Sequence, residues 1–126
     1  MAKLDGKKIL IVEDDNFLSE MLAKKLSVEG AVISHAPDGE VALTMIRANT
    51  YDLVLLDILL PKKGGFEALT ELRADEKTKD LAVIVLSNFG QKSDVEMGIK
   101  LGVKNFLVKA LLSVDEIAEK VIESFK

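Results

Sequence analysis

The sequence predicts an α/β domain in which a five-stranded parallel sheet is wound on both faces by five helices. Three observations predict it. Short apolar runs rich in Val, Ile and Leu alternate with helix-length segments along the whole chain, which is the rhythm of β-α units rather than of hairpins. The runs are continuously apolar instead of alternating, as expected where helices cover both faces of a sheet. The 126 residues are 48% hydrophobic with only two prolines, so a single domain over residues 1–126 can bury a real core without linkers.

The elements follow in order. Ile9-Leu10-Ile11-Val12 forms the first strand and ends in Glu13-Asp14-Asp15. Phe17, Met21, Leu22 and Leu26 recur at helical spacing, and Gly30 stops that helix. Ala31–Ser34 is the second strand, closed by the turn residues Pro37-Asp38-Gly39. Val41, Ala42, Met45 and Ile46 mark the second helix, and Leu53-Val54-Leu55-Leu56 the third strand, ending at Asp57. Pro61 and Gly64-Gly65 hold a loop before Phe66, Leu69 and Leu72 on the third helix. Ala82–Leu86 is the fourth strand, ending at Ser87. Val95, Ile99 and Leu101 mark the fourth helix, closed by Gly102, and Val103–Val108 is a fifth strand ending at Lys109. In the last helix Ser113 and Glu116 form a capping box ahead of Val114, Ile117, Ala118, Val121, Ile122 and Phe125.

Composition removes several functional classes. There is no cysteine, hence no disulfide, CxxC redox pair or thiolate zinc site, and one histidine cannot build a multi-histidine metal centre. The net charge of −4 and the lack of a basic helix give no support to nucleic-acid binding. The polar N-terminus does not resemble a signal peptide, and every apolar run falls far short of the roughly 20 residues that span a bilayer. A cytoplasmic location with no membrane contact is the expectation.

In open parallel sheets, function gathers beyond the carboxyl ends of the strands. Those ends deliver Glu13 and Asp14, Asp57, Ser87 and Lys109. Each alone has a plain structural reading. Asp15 or Asn16 caps the first helix, Asp57 is a loop acid, Ser87 a turn hydroxyl and Lys109 a surface cation. Together they make a chemical set. Clustered carboxylates repel unless a cation joins them, and Mg²⁺ suits few hard oxygen ligands with several retained waters. Metal and ammonium can neutralise a transferring phosphoryl group while a hydroxyl donates to it and an in-line carboxylate attacks. Asp57 is the natural nucleophile, since aspartyl phosphates are an established covalent intermediate.

These residues resemble the receiver domain of two-component response regulators over about Lys8 to Phe125. The matching features are Glu13-Asp14 after the first strand, Asp57 with Pro61 and Gly65 in a D-x-x-x-P-x-x-x-G loop, Ser87 and Lys109. The resemblance implies a flavodoxin-like fold with strand order 2-1-3-4-5. It implies that Asp57 accepts phosphate from a sensor histidine kinase, a phosphotransfer protein or a small donor. Asp14, Asp57 and the backbone carbonyl of Leu59 would ligate Mg²⁺, with Glu13 acting through water. Lys109 would pair with the phosphate, while Ser87 and Phe106 would switch. The output implied is a population shift read on the face of the fourth helix, fifth strand and fifth helix by a partner protein. The chain would be a signalling module rather than an enzyme, monomeric or weakly dimeric on phosphorylation. At this length no room remains for an output domain if the chain is a natural stand-alone protein.

The sequence also departs from that pattern. Ala110 stands where a proline, commonly cis, follows the lysine; a non-proline cis bond costs about 2.5–4 kcal/mol, so a trans bond with a rearranged loop or a strained cis bond is expected. Lys63 and Gly64 alter the loop after Asp57, and Lys62-Lys63 either attract an anionic donor or are ordinary solvated lysines. Leu59 and Phe89 lie two residues after Asp57 and Ser87, flanking the path of hydrolytic water in the family. Both are apolar, so a long-lived aspartyl phosphate is expected. His35 is expected away from the acidic edge. A haloacid-dehalogenase-type phosphatase would want an acid at Leu59, and an FMN-binding flavodoxin a phosphate loop where Glu13-Asp14-Asp15 stands. A phosphorylation-independent interaction module with the same fold remains the alternative.

Overall fold

A computed structural model describes residues 3–88 and 90–126. Three apolar runs build its centre: β1 (Lys8–Val12), β3 (Leu53–Asp57) and β4 (Val83–Ser87), the last two buried along their whole length. They are flanked by β2 (Val32–Ala36) and β5 (Asn105–Val108) in a parallel sheet of order β2-β1-β3-β4-β5. The helices are α1 (Asn16–Val28), α2 (Gly39–Ala48), α3 (Gly65–Ala74), α4 (Lys92–Lys100) and α5 (Val114–Glu123).

Strand side chains point alternately to the two faces, and the sheet consequently carries two cores. Ile9, Ile11, Leu53, Leu55, Ile84, Leu86 and Leu107 face α1 and α5, packing on Leu22, Leu26, Ile117 and Val121. Leu10, Val12, Val54, Leu56, Val83 and Val85 face the other way, onto Leu43, Ile46, Ala68, Leu69 and Leu72. The capping box at the start of α5 is present, Ser113 Oγ accepting from Glu116 N and Glu116 Oε1 from Ser113 N.

The differences from the sequence reading lie at the edges. β2 starts at Val32 and runs to Ala36, because it pairs with the full length of β1, Lys8 opposite Val32 and Val12 opposite Ala36. β5 starts at Asn105, since Val103 N is taken by the turn bond to Gly98 O that ends α4. Phe17 is 73% exposed, and α1 docks through Leu18, Leu22 and Leu26 instead. In α2, Val41 turns outward and Leu43 inward. α4 differs most: its single buried residue is Gly98, while Met97 and Ile99 are exposed. The Phe106 ring lies against Gly98, where an added Cβ would meet a ring carbon at 3.2 Å. No peptide bond among the described residues is cis, and Lys109–Leu111 form a 3₁₀ turn. The Lys109–Ala110 bond is thus trans, not the strained cis alternative.

Candidate functional site

Strand register brings the site together. Asp57 is opposite Leu86, and Ser87 is opposite Val108, so Asp57 closing β3, Ser87 closing β4 and Lys109 just after β5 step one residue at a time along one edge. Glu13 leaves β1 with its N–H still donating to Ala36 O at 3.1 Å. Glu13, Asp14 and Asp57 each offer an oxygen within 4.8 Å of the others. The set expected from the sequence converges.

The carboxylates differ in how they are held. Glu13 is fully buried; its Oε2 accepts from Asp15 N at 3.1 Å and its Oε1 lies 2.6 Å from Lys109 Nζ. That last contact is an ion pair without hydrogen-bond alignment, and it is what holds Oε1 among the described residues. Asp57 is 3% exposed; Oδ1 accepts from Leu59 N at 3.2 Å and Oδ2 from Lys109 Nζ at 2.8 Å. Asp14 is exposed, and no hydrogen bond among the described residues involves its carboxylate. Asp15 caps α1, accepting from Leu18 N.

Electrostatics follow from burial. Desolvation pushes the Glu13 carboxyl up to about 7, helped by the neighbouring Asp57 and opposed by Lys109 and the Asp15 amide. Burial by itself would depress the Lys109 ammonium, but its hydrogen bond to Asp57, its ion pair with Glu13 and the charges of both together outweigh this and raise it. Lys109 is the cation that the clustered acids require.

The donor chemistry fits Mg²⁺. Three hard carboxylates converge, one of them open to water. Leu59 N rests on Asp57 Oδ1, which places the Leu59 peptide beside the same carboxylate.

Backbone contacts hold the loop between β3 and α3. Gly65 N donates to Ile58 O at 2.9 Å, and a Cβ on Gly65 would collide with the carbonyl oxygen of Asp57. Gly39, at the start of α2, likewise admits the Lys63 carbonyl. Lys63 turns away to pair with Glu71, whose carboxyl it lowers. That pairing gives Lys63 a partner on α3 rather than at the acidic edge.

Ser87 is 5% exposed, and its Oγ accepts from Gly90 N at 3.1 Å. A cavity of about 330 Å³ opens beside it, lined by Ile58, Leu59, Ser87, Asn88, Gln91 and Asp94. Larger cavities of about 520 and 570 Å³ lie at the opposite end of the sheet, around Arg73 and Tyr51 respectively. Leu59 is 65% exposed and Phe106 half-buried. Phe89 lies outside the described residues.

Two contributors escaped the sequence reading. His35 does not stand apart from the acidic edge: its Nε2 is 2.7 Å from the Glu13 carbonyl oxygen. Asp38, read as a turn residue, also caps α2 by accepting from Val41 N. The Pro37-Asp38-Gly39 turn was visible in sequence; which segment it would touch was not.

Comparisons with known proteins agree with this geometry. A family model described as the response regulator receiver domain matches residues 9–122. The transcriptional regulatory protein CpxR of Klebsiella pneumoniae is 40% identical over 102 residues, covering 81% of this chain and 42% of the relative. The DNA-binding dual master transcriptional regulator RpaA of Synechocystis is 33% identical over 114 residues, covering 90% of this chain and 47% of the relative. The chain therefore spans under half the length of these curated relatives. Their names do not agree with the expectation of a partner set free of nucleic acid. Among solved structures, the response regulator TrrA of Thermotoga maritima in complex with Mg(2+)-BeF has a TM-score of 0.79 and 34% identity, covering 94% of this chain and 98% of that one. No helix among the described residues is long and apolar enough to cross a membrane.

Proposed function

The chain belongs to the response regulator receiver domain family, and from that premise we propose that Asp57 accepts a phosphoryl group from a phosphohistidine of a sensor histidine kinase or phosphotransfer protein. The observation that carries this reading is the bridging of buried Glu13 and Asp57 by Lys109 beside an exposed Asp14. An Asp57 oxygen attacks phosphorus in line; the phosphorus–nitrogen bond of the donor breaks, and the leaving imidazole keeps its electron pair and takes a proton from solvent. Lys109 releases Asp57 Oδ2 to pair with a phosphoryl oxygen, and the Ser87 hydroxyl, which accepts from Gly90 N, donates its proton to another. Bound Mg²⁺, held by Asp14, Asp57 and the Leu59 carbonyl with Glu13 through water, would neutralise charge developing on the phosphoryl oxygens.

The output is a population shift on the face formed by α4, β5 and α5, regulating a partner protein. α4 suits that role because it buries only Gly98, and Phe106 sits directly on it. The chain acts as a signalling module in the cytoplasm, assisting only its own phosphorylation and dephosphorylation. Relatives named as transcriptional regulators support a transcriptional output for the whole protein.

The test is incubation with Mg²⁺ and acetyl phosphate, or with a beryllofluoride mimic, comparing wild type and Asp57→Asn. Wild type should gain one phosphoryl group by mass, and the variant none. Absence of any gain in wild type would favour the phosphorylation-independent interaction module.

A further inference from the structure

His35 is the chain's single histidine, and it is exposed on the edge strand β2. Its Nε2 lies 2.7 Å from the carbonyl oxygen of Glu13. A carbonyl only accepts, so Nε2 carries the proton and donates it. The amide of the same residue is held as well, Glu13 N donating to Ala36 O at 3.1 Å. Both bonds extend the β1–β2 pairing past its last partners, Val12 and Ala36.

The next residue is Asp14. The Glu13 carbonyl belongs to the peptide plane that leads into it, and a planar peptide held at its oxygen fixes the direction of the following Cα. Glu13 does not need this help, because Asp15 N and Lys109 hold its carboxylate. Asp14 does. Its carboxylate has no hydrogen bond among the described residues, yet it stands within reach of the oxygens of Glu13 and Asp57. Its position is set by its backbone.

We propose that His35 is a positioning residue for the divalent-cation site, aiming the Asp14 carboxylate at Asp57 by holding the Glu13–Asp14 peptide. The proposal rests on the receiver reading above insofar as that reading requires Mg²⁺. His35 touches no reacting atom and has no phosphotransfer role in it.

The experiment is calorimetric titration of Mg²⁺ into wild type, His35→Ala and His35→Gln at one fixed pH, with thermal unfolding of the metal-free proteins alongside. His35→Ala should weaken Mg²⁺ binding about threefold to tenfold, less than the roughly 10–100-fold seen for partners bonded directly to a ligand side chain. His35→Gln should recover most of the affinity, because its amide can donate from nearly the same place. The metal-free unfolding midpoint of His35→Ala should fall by no more than about a few degrees, the loss of one hydrogen bond, and that of His35→Gln by less. Acetyl phosphate should load His35→Ala slowly at limiting Mg²⁺ and at the wild-type rate at saturation. Equal affinity in wild type and His35→Ala overturns the proposal, as does a Gln variant as weak as Ala, or weakening that tracks lost metal-free stability. If wild type itself binds no Mg²⁺, the receiver reading fails at its metal and the positioning role falls with it. That result is distinct from a wild type that binds while His35 proves indifferent.

Discussion

Replacing Lys109 by Met removes the ammonium between two buried carboxylates and keeps most of the apolar stem. In the native site Nζ lies 2.6 Å from Glu13 Oε1 and 2.8 Å from Asp57 Oδ2, with side chains 18%, 0% and 5% exposed. Orphaning a buried charge costs about 3–5 kcal/mol when the charge must persist. Here Glu13 has an escape. Burial already pushes it to about 7, and Lys109 is the leading influence holding it down. Without Lys109 it rises further and stays protonated at neutral pH, leaving the lost Asp57 partner as the main cost, about 2 kcal/mol.

Above about pH 7 the variant's folded state holds a proton on Glu13 that the wild type has released, while neither unfolded state holds one. Lys109→Met should therefore lose about 1.4 kcal/mol per pH unit relative to wild type in that range. Urea unfolding of metal-free protein at about one pH unit below and above neutrality measures the gap. Saturating Mg²⁺ should narrow it, because a divalent cation supplies the missing charge. A gap independent of pH, or a variant more stable than wild type on the alkaline side, would refute the reasoning.

Three further outcomes are expected. Between the ordinary carboxyl value of 4.5 and about 7, folded Glu13 holds a proton that the unfolded chain has lost. This group therefore costs metal-free stability as pH rises through that window, and Mg²⁺ binding there releases a proton and weakens on acidification; calorimetry in buffers of different ionisation enthalpy reads the proton count. Gly65→Ala should lose about 1–3 kcal/mol by denaturation and phosphorylate slowly, because its Cβ meets the Asp57 carbonyl, which is backbone and cannot yield. Gly64→Ala, with its Cβ 3.6 Å from Ile58 O, should stay within about 0.5 kcal/mol of wild type. Phosphorylated Asp57 should persist for minutes rather than seconds, since exposed Leu59 offers nothing to orient water, and Leu59→Asn should shorten the decay followed by mass.

The central strands were legible because strands covered on both faces must be continuously apolar, and β1, β3 and β4 are. The chemistry was legible for the same reason: a polar residue ending such a run marks a known edge of the sheet, which placed Glu13, Asp57 and Ser87. Periodicity served α5, whose expected face is the buried one. It failed on α4, because an apolar spacing records what a helix offers, not what stands opposite. The inward residue there is Gly98, chosen by the bulk of Phe106 and Val103. Phe17 failed likewise, lying at the start of α1 beyond the sheet's cover.

By itself, then, the chain's order of apolar runs and terminal polar residues determined the parallel sheet, its helices and the set of groups at one edge. Only the tertiary structure decided how those groups engage. Lys109, 52 residues from Asp57 in sequence, bridges it to Glu13, and His35 closes on the Glu13 carbonyl from the neighbouring strand. Contacts of that kind depend on strand register and on the angstrom-scale approach of backbones. No local pattern of residue types encodes those distances, because they are set by the packing of the whole sheet.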